Sequence, residues 1–244
     1  MPRFFVPTPL AASGDTIDLP DEVARHVQVL RLRAGDPLTL FDGSGGEHNA
    51  VLVAVEKRRV SVRLAAFMPV ERETPYRVTL AQGLCSNEKM DWLVEKSVEL
   101  GVTAMAPLIA ARSVVRLDGE RAARRRAHWA GLVAAACEQC GRNRLPAVAA
   151  PAGLADWLDA QRSTPGMKLM FSPRGSRPFD TLPALAPDEP VTLLVGPEGG
   201  LDEAEERLAR QAGFEAISLG ARILRAETAG IAVLAALAAR WQGW

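Results

Sequence analysis

The chain has 244 residues, 48% of them hydrophobic, and its 29 Lys and Arg balance 29 Asp and Glu. That length and apolar content supply one large core or two ordinary ones and exclude a disordered chain, while zero net charge leaves only local basic patches as a draw for nucleic acid. Three cysteines exclude a disulfide framework, and the absence of a signal-like or membrane-spanning stretch makes the cytoplasm the expected compartment.

Residues 1–72 read as a small β-rich barrel domain. Strands are predicted over 38–41, 50–55 and 60–64, with turns at 43–46 and 57–59. A helix is predicted from Asp21 to about Leu30, with Asp21 as its N-cap and Val23, Val27 and Leu30 on one face. Arg25, His26, Arg31 and Arg33 cluster there, either as a solvated face or as an RNA-contacting one, which makes Arg25, Arg31 and Arg33 RNA-binding candidates. Residues 68–75 are polar and bracketed by prolines, so a second domain is expected over 73–244.

Beyond that link, strands and helices alternate, as in a mainly parallel sheet covered by helices. A strand over 76–81 precedes a helix capped by Ser86 or Asn87, with Met90, Leu93, Val94 and Val98 at helical spacing and Gly101 as its stop. Another strand is predicted over 103–109. Residues 112–144 then hold eight arginines against three acids. Their middle is a helix with Trp129, Leu132, Val133, Ala136, Cys137 and Cys140 as its apolar stripe. Cys137 and Cys140 have C-x-x-C spacing but no second pair and no His nearby, so they read as packed thiols, and no metal is expected. Arginines early in a helix oppose its dipole, so an anionic partner such as RNA accounts better for them. Arg124, Arg125 and Arg144 are candidates for that contact.

A short helix over 154–160, a strand over 168–171 and a Pro-, Arg- and Ser-rich loop over 172–178 follow. Val191–Val195 is an apolar strand that breaks at Gly196-Pro197-Glu198-Gly199-Gly200, before a helix over 202–212. A strand over 214–219 ends at a second break, Leu219-Gly220. The last helix, 226–241, is apolar on nearly every face and is expected to form a dimer interface.

A strand, a glycine loop and a helix start can hold phosphate. Here Glu198, Asp202, Glu203, Glu205 and Glu206 would repel it, and neither a Walker lysine nor a G-x-G-x-x-G is present. A neutral or cationic ligand with an adenine ring fits better. Its base edge can meet backbone groups of the loops, and Leu194, Leu219, Ile223 and Leu224 can flank its faces. S-adenosylmethionine, a sulfonium without phosphate, is such a ligand.

Leu194-Val-Gly-Pro-Glu-Gly-Gly200 with Leu219-Gly-Ala-Arg-Ile-Leu-Arg-Ala-Glu-Thr-Ala229 resembles the C-terminal motifs of SPOUT methyltransferases. Phe4-Phe5-Val6, the 26–36 stretch from His26 to Asp36, the 89–101 stretch from Lys89 to Gly101 and Glu138-Gln-Cys-Gly-Arg-Asn-Arg144 extend the likeness along the chain. The match is closest to the bacterial 16S ribosomal RNA uracil-N3 methyltransferases, whose target is uracil-1498. That resemblance implies an α/β fold with a deep trefoil knot, preceded by a PUA-like RNA-binding domain. It implies a homodimer acting on 16S rRNA, within the 30S subunit; the residues themselves suggest neither a membrane nor a metal as partner. Carried over by motif, the cofactor-binding candidates are Leu194, Gly196, Glu198, Gly199, Gly200, Leu219, Gly220, Ile223, Leu224 and Ala229, with Phe171 and Ser172 in a third wall at 171–174.

Uracil N3 must lose its proton to attack a methyl group, and charge then develops on O2 and O4. Arginine donors suit those oxygens. Arg225 or Arg142 is expected in that role, with Glu138 a candidate base; the alternative for Arg225 is an ion pair with Glu227 or Glu198. Two other functions fit the sequence: a non-catalytic RNA-binding protein, and a SPOUT enzyme acting on another base or on tRNA.

Overall fold

The computed structural model describes the chain except at positions 11, 58, 173, 175, 186–188 and 244. The expected turn at 57–59 and the loop at 172–178 therefore lie partly outside the described residues. The chain divides into two compact units. One is Met1–Glu73 with Ala134–Leu145, and the other is Thr74–Val133 with Pro146–Trp244.

The first unit contains β1 (Arg3–Phe5), β2 (Thr16–Asp18), α1 (Asp21–Val29), β3 (Pro37–Phe41), β4 (Glu47–Val55) and β5 (Val60–Met68). They form one mixed sheet in the order β1-β3-β4-β5-β2, parallel only at β1-β3. Strands β1 and β2 are its edges. Alternation in β4 buries Ala50 and Leu52 against Phe4, Leu38, Leu40 and Val62, with Val23 and Val27 of α1 closing that core. Pro20, not Asp21, is the N-cap of α1, and no side chain caps it. Leu30, expected on the buried face, is 47% exposed because the helix has already ended.

The second unit adds β6 (Val78–Gly83), α2 (Asn87–Glu99), β7 (Ala104–Ile109), α3 (Gly119–Cys140), β8 (Ala147–Val148), β9 (Ala152–Gly153), α4 (Leu154–Gln161), β10 (Met167–Phe171), β11 (Arg177–Pro178), β12 (Val191–Val195), α5 (Glu203–Gln211), β13 (Glu215–Ser218) and α6 (Ala226–Arg240). All the strand pairings here are parallel, in the order β11-β13-β10-β12-β6-β7-β8, with β9 beside β7. Strand β12 is central and every residue of it is buried, which is why it reads as an unbroken apolar run. Ser86 is the N-cap of α2 but makes no side-chain cap. Met90, Leu93, Val94 and Val98 are buried, and Gly101 follows the helix end at φ +83°. Helix α3 starts in the second unit and gives its last turns to the first. That exchange was not anticipated by a single boundary near 72.

In α3, Trp129, Val133, Ala136 and Cys137 are buried, whereas Leu132 and Cys140 are only partly so. Burial pushes the Cys137 thiol up to about 12. No group of three potential metal ligands occurs among the described residues, and no described helix is long and apolar enough to cross a membrane.

Candidate active site

Strands β10, β12 and β13 are parallel, so their carboxyl ends share one edge of the sheet, where open α/β sheets usually place ligands. A cavity of about 510 Å³ opens at that edge, within the usual range for small-molecule sites. Phe171 and Ser172 at the end of β10 form one side. Ile217, Ser218 and the loop from Leu219 to Leu224 form the opposite side, and Ala229 of α6 closes it. Gly220 turns that loop at φ +117°, a conformation that strains any residue with a Cβ. The Ser218 hydroxyl accepts the Gly220 amide at 3.2 Å and donates to the Gly220 carbonyl at 3.0 Å, which pins the turn. Ser172 is held from behind: its hydroxyl donates to Glu206 at 2.8 Å, and Arg174 bridges Glu206 and the Leu201 carbonyl.

Seven of the twelve expected cofactor residues therefore line the cavity: Phe171, Ser172, Leu219, Gly220, Ile223, Leu224 and Ala229. Ser176, Pro178, Ile217, Ser218, Ala221 and Arg222 line it too and were not anticipated. The Ser218–Gly220 turn was legible as a serine two residues before a glycine. The other walls depend on strand order.

Leu194, Gly196, Glu198, Gly199 and Gly200 are not among the lining residues. Leu194 is fully buried in the core with Ala81, Met170 and Leu201. Gly196 sits where a Cβ would come within 2.9 Å of the Leu201 amide, and Gly199 packs as closely on Arg112. Gly200 lies at φ +68°. Glu198 accepts the Ser86 amide and the Lys89 ammonium, both at 3.1 Å. Burial pushes its carboxyl up, but those donors outweigh it and hold the group below the ordinary range. The remaining acids are also committed. Asp202 and Glu205 form a reciprocal capping box on α5, and Glu205 accepts the Ala111 amide at 2.7 Å.

The three candidate catalytic residues differ sharply. Arg225 is exposed at the N-cap of α6, adjoining Leu224 of the cavity wall, and its side chain has no ion pair or hydrogen bond among the described residues. The bracing pair considered for it goes to Lys89, which lies 3.1 Å from Glu198 and 3.8 Å from Glu227. Arg142 belongs to the first unit, is 3% exposed and grips Glu73 with Nε and Nη2. Meeting a base would require it to leave that carboxylate. Glu138, in the same unit, accepts the Phe5 amide at 2.8 Å. Burial raises its pKa despite that bond and the neighbouring Arg3 and His26.

The RNA-binding candidates also divide. Arg25, Arg31 and Arg33 are exposed, with no acid paired to any of them among the described residues. Arg124 pairs with Glu120, Arg125 with Asp91, and Arg144 with Glu71. Intramolecular partners thus account for part of the basic character of 112–144.

Residues 72–238 match the family model for an RNA methyltransferase domain, and residues 19–65 match that for an RNA methyltransferase PUA domain. Ribosomal RNA small subunit methyltransferase E of Bacillus subtilis is 34% identical over 89% of this chain and 87% of its own. The structure of the Neisseria gonorrhoeae enzyme of that name, bound to S-adenosylmethionine, is 42% identical with a TM-score of 0.91, covering 99% of this chain and 98% of its own. A Legionella pneumophila structure with bound S-adenosylmethionine is 38% identical with a TM-score of 0.92, covering 98% of this chain and 97% of that one. The chain belongs to the ribosomal RNA small subunit methyltransferase E family, with an RNA methyltransferase domain and a PUA domain.

Proposed function

We propose that the chain transfers a methyl group from S-adenosylmethionine to N3 of uracil-1498 in 16S rRNA. The observation that carries this reading is the cavity at the carboxyl edge of β10 and β13, in a chain so similar to structures that bind that cofactor.

The wall fits the cofactor chemically. Leu219, Ile223 and Leu224 offer apolar faces for an adenine ring, and the Ser172, Ser176 and Ser218 hydroxyls offer polar contacts. Arg222, the one charged residue of the described lining, suits the carboxylate of the amino-acid portion. Phe171 pairs in register with Val195, so the loop from Gly196 to Gly200 leaves the sheet beside Ser172. That adjacency supports Leu194, Gly196, Glu198, Gly199 and Gly200 as the frame of the same pocket. When bound, the cofactor supplies an electrophilic methyl carbon on a positively charged sulfur. Arg225 is the donor for charge developing on uracil O2 or O4, since its guanidinium is exposed and uncommitted. Arg142 remains the alternative donor and Glu138 the candidate proton acceptor.

The first unit, as a PUA-like domain, docks the RNA through Arg25, Arg31 and Arg33, and the second unit forms the SPOUT domain. Entry of β12 between the earlier strands β6 and β10 supports a trefoil-knotted path. Ile223 on the cavity wall is 88% exposed, which supports a homodimer covering it. A monomer by light scattering at micromolar concentration would refute that dimer. The 30S particle is the expected form of the substrate; equal rates on naked 16S rRNA would count against it. The decisive test of the reaction maps the methyl group by mass spectrometry on rRNA from a deletion strain treated with the protein. A new methyl group at N3 of uracil-1498 is expected, and one on another base, on tRNA, or none would overturn the reading.

A further inference from the structure

Helix α1 ends in an unusual way. The Leu32 amide donates to the Val27 carbonyl at 3.2 Å and the Arg31 amide to the Gln28 carbonyl at 3.0 Å. This is the Schellman arrangement, which needs a left-handed residue just past the helix and normally uses glycine. Here that residue is Arg31, at φ +56°. It is one of only two described non-glycine residues with positive φ. Its backbone is forced by the packing on either side. Val27 is fully buried, Leu32 packs against the same core, and Gln28 is tied to the Glu56 carbonyl at 2.7 Å. Glycine at this position would leave all these contacts in place and remove the strain.

The side chains at this turn are equally unusual. Val29 is 76% exposed and Leu30 47% exposed, side by side at the helix end. Arg31 and Arg33 follow them in the chain, exposed and without paired acids among the described residues. The nearest acid in sequence, Asp36, uses its carboxylate on the Arg33 backbone amide at 2.7 Å. The acids of α1 itself, Asp21 and Glu22, lie in its first turn, about 12 Å from its last. The turn therefore offers two consecutive exposed apolar side chains, followed by two guanidinium groups without an acidic partner among the described residues.

We propose that this strained turn is an RNA-docking tip, with Arg31 and Arg33 on backbone phosphates and Val29 and Leu30 against an adjoining sugar or unstacked base. Charge complementarity selects the partner: an exposed apolar pair next to two arginines without acidic partners matches a polyanion that carries flat apolar faces. The inference rests on the rRNA reading given above. It goes beyond that reading by assigning affinity to one turn and by explaining why glycine is absent there.

The test uses the full-length protein and small ribosomal subunits assembled with 16S rRNA transcribed in vitro, which is unmethylated. Arg31→Gly should melt no lower than wild type, because it relieves the left-handed backbone. It should bind the subunits about five- to tenfold more weakly at moderate salt, with the slope of log affinity against log salt reduced by about 0.9, as for one lost phosphate contact. Leu30→Ser, at an exposed site, should weaken binding with the slope unchanged. Both variants should bind S-adenosylmethionine as wild type does. Wild-type affinity and salt slope in Arg31→Gly, or wild-type affinity in Leu30→Ser, would overturn the proposal. If wild-type protein methylates the subunits while the variants bind normally, only the docking tip falls. If wild type neither binds nor methylates them, the rRNA reading falls with it.

Discussion

Arg225 and Arg142 show how two arginines of equal promise in sequence separate by their partners. Arg225 stands at a helix start beside the cavity with its guanidinium uncommitted, while Arg142 is buried on Glu73. Arg225→Ala is expected to lower the single-turnover methylation rate by about 10²- to 10³-fold, the usual loss for one donor to a developing oxyanion, with little change in cofactor affinity. An unchanged rate would remove it from the chemistry. Glu47 carries a different prediction. Burial pushes its carboxyl up, but Arg3, Asn143 and Arg72 together hold it below the ordinary 4.5. A depressed folded pKa means that its stabilisation is present above 4.5 and is lost as pH falls through the lower folded value. Glu47→Gln should therefore cost about 1–3 kcal/mol at neutral pH, since it weakens a partly buried charged network. The gap in melting temperature between wild type and variant should close on acidification, and a gap independent of pH would show that Glu47 does not act through its charge.

At the scale of elements, the loop after β12 is built against its neighbours. A Cβ on Gly83, at the end of β6, would lie 2.4 Å from the Pro197 nitrogen, so only glycine lets the two strand ends meet there. Gly83→Ala should destabilise the protein by about 1–3 kcal/mol through overpacking, measurable by denaturant unfolding, and should also displace the Gly196–Pro197 turn. Gly200→Ala meets no atom within 4 Å and should cost only the left-handed strain, about 1 kcal/mol. The reverse order of costs would contradict this packing. Lys89 of α2 links the same loop, through Glu198, to the start of α6, through Glu227. Lys89→Met should weaken S-adenosylmethionine binding by about tenfold in calorimetry, and its effect should be less than additive with that of Glu198→Gln. Full additivity would mean that the ion pair does not couple the loop to the cavity.

At the scale of the whole molecule, the first unit is completed by a segment more than sixty residues further along the chain. Asn143 donates to Glu47 and to the Val70 carbonyl, Glu138 accepts the Phe5 amide, and Arg142 holds Glu73. A fragment ending at Glu73 leaves each of these groups without its partner. Such a fragment is expected to melt well below the corresponding transition of the full chain, and a well-dispersed, equally stable fragment would refute this dependence. The same fact explains why a boundary drawn from a polar, proline-bracketed stretch near 72 describes only part of the division. Composition marks where the chain leaves a unit, but it carries no sign that α3 later returns to it.

Local chemistry was legible in the sequence wherever local interactions decide the outcome. The apolar run of β12, the stripe of α2 and the α5 start at Asp202 follow from periodicity and capping, which act over a few residues. The positions of the two glycine loops, at the ends of β12 and β13, were legible too. What only the tertiary structure decided depends on contacts between segments distant in sequence. Strand order sets Phe171 opposite Val195 and Ile217, which makes a cavity from β10 and β13 and leaves Glu198 facing α2. It commits Arg142 to Glu73 and leaves Arg225 and Arg31 open to solvent. Those outcomes turn on which groups are desolvated together, and pairwise burial of that kind is fixed by the packed chain and not by spacing along it.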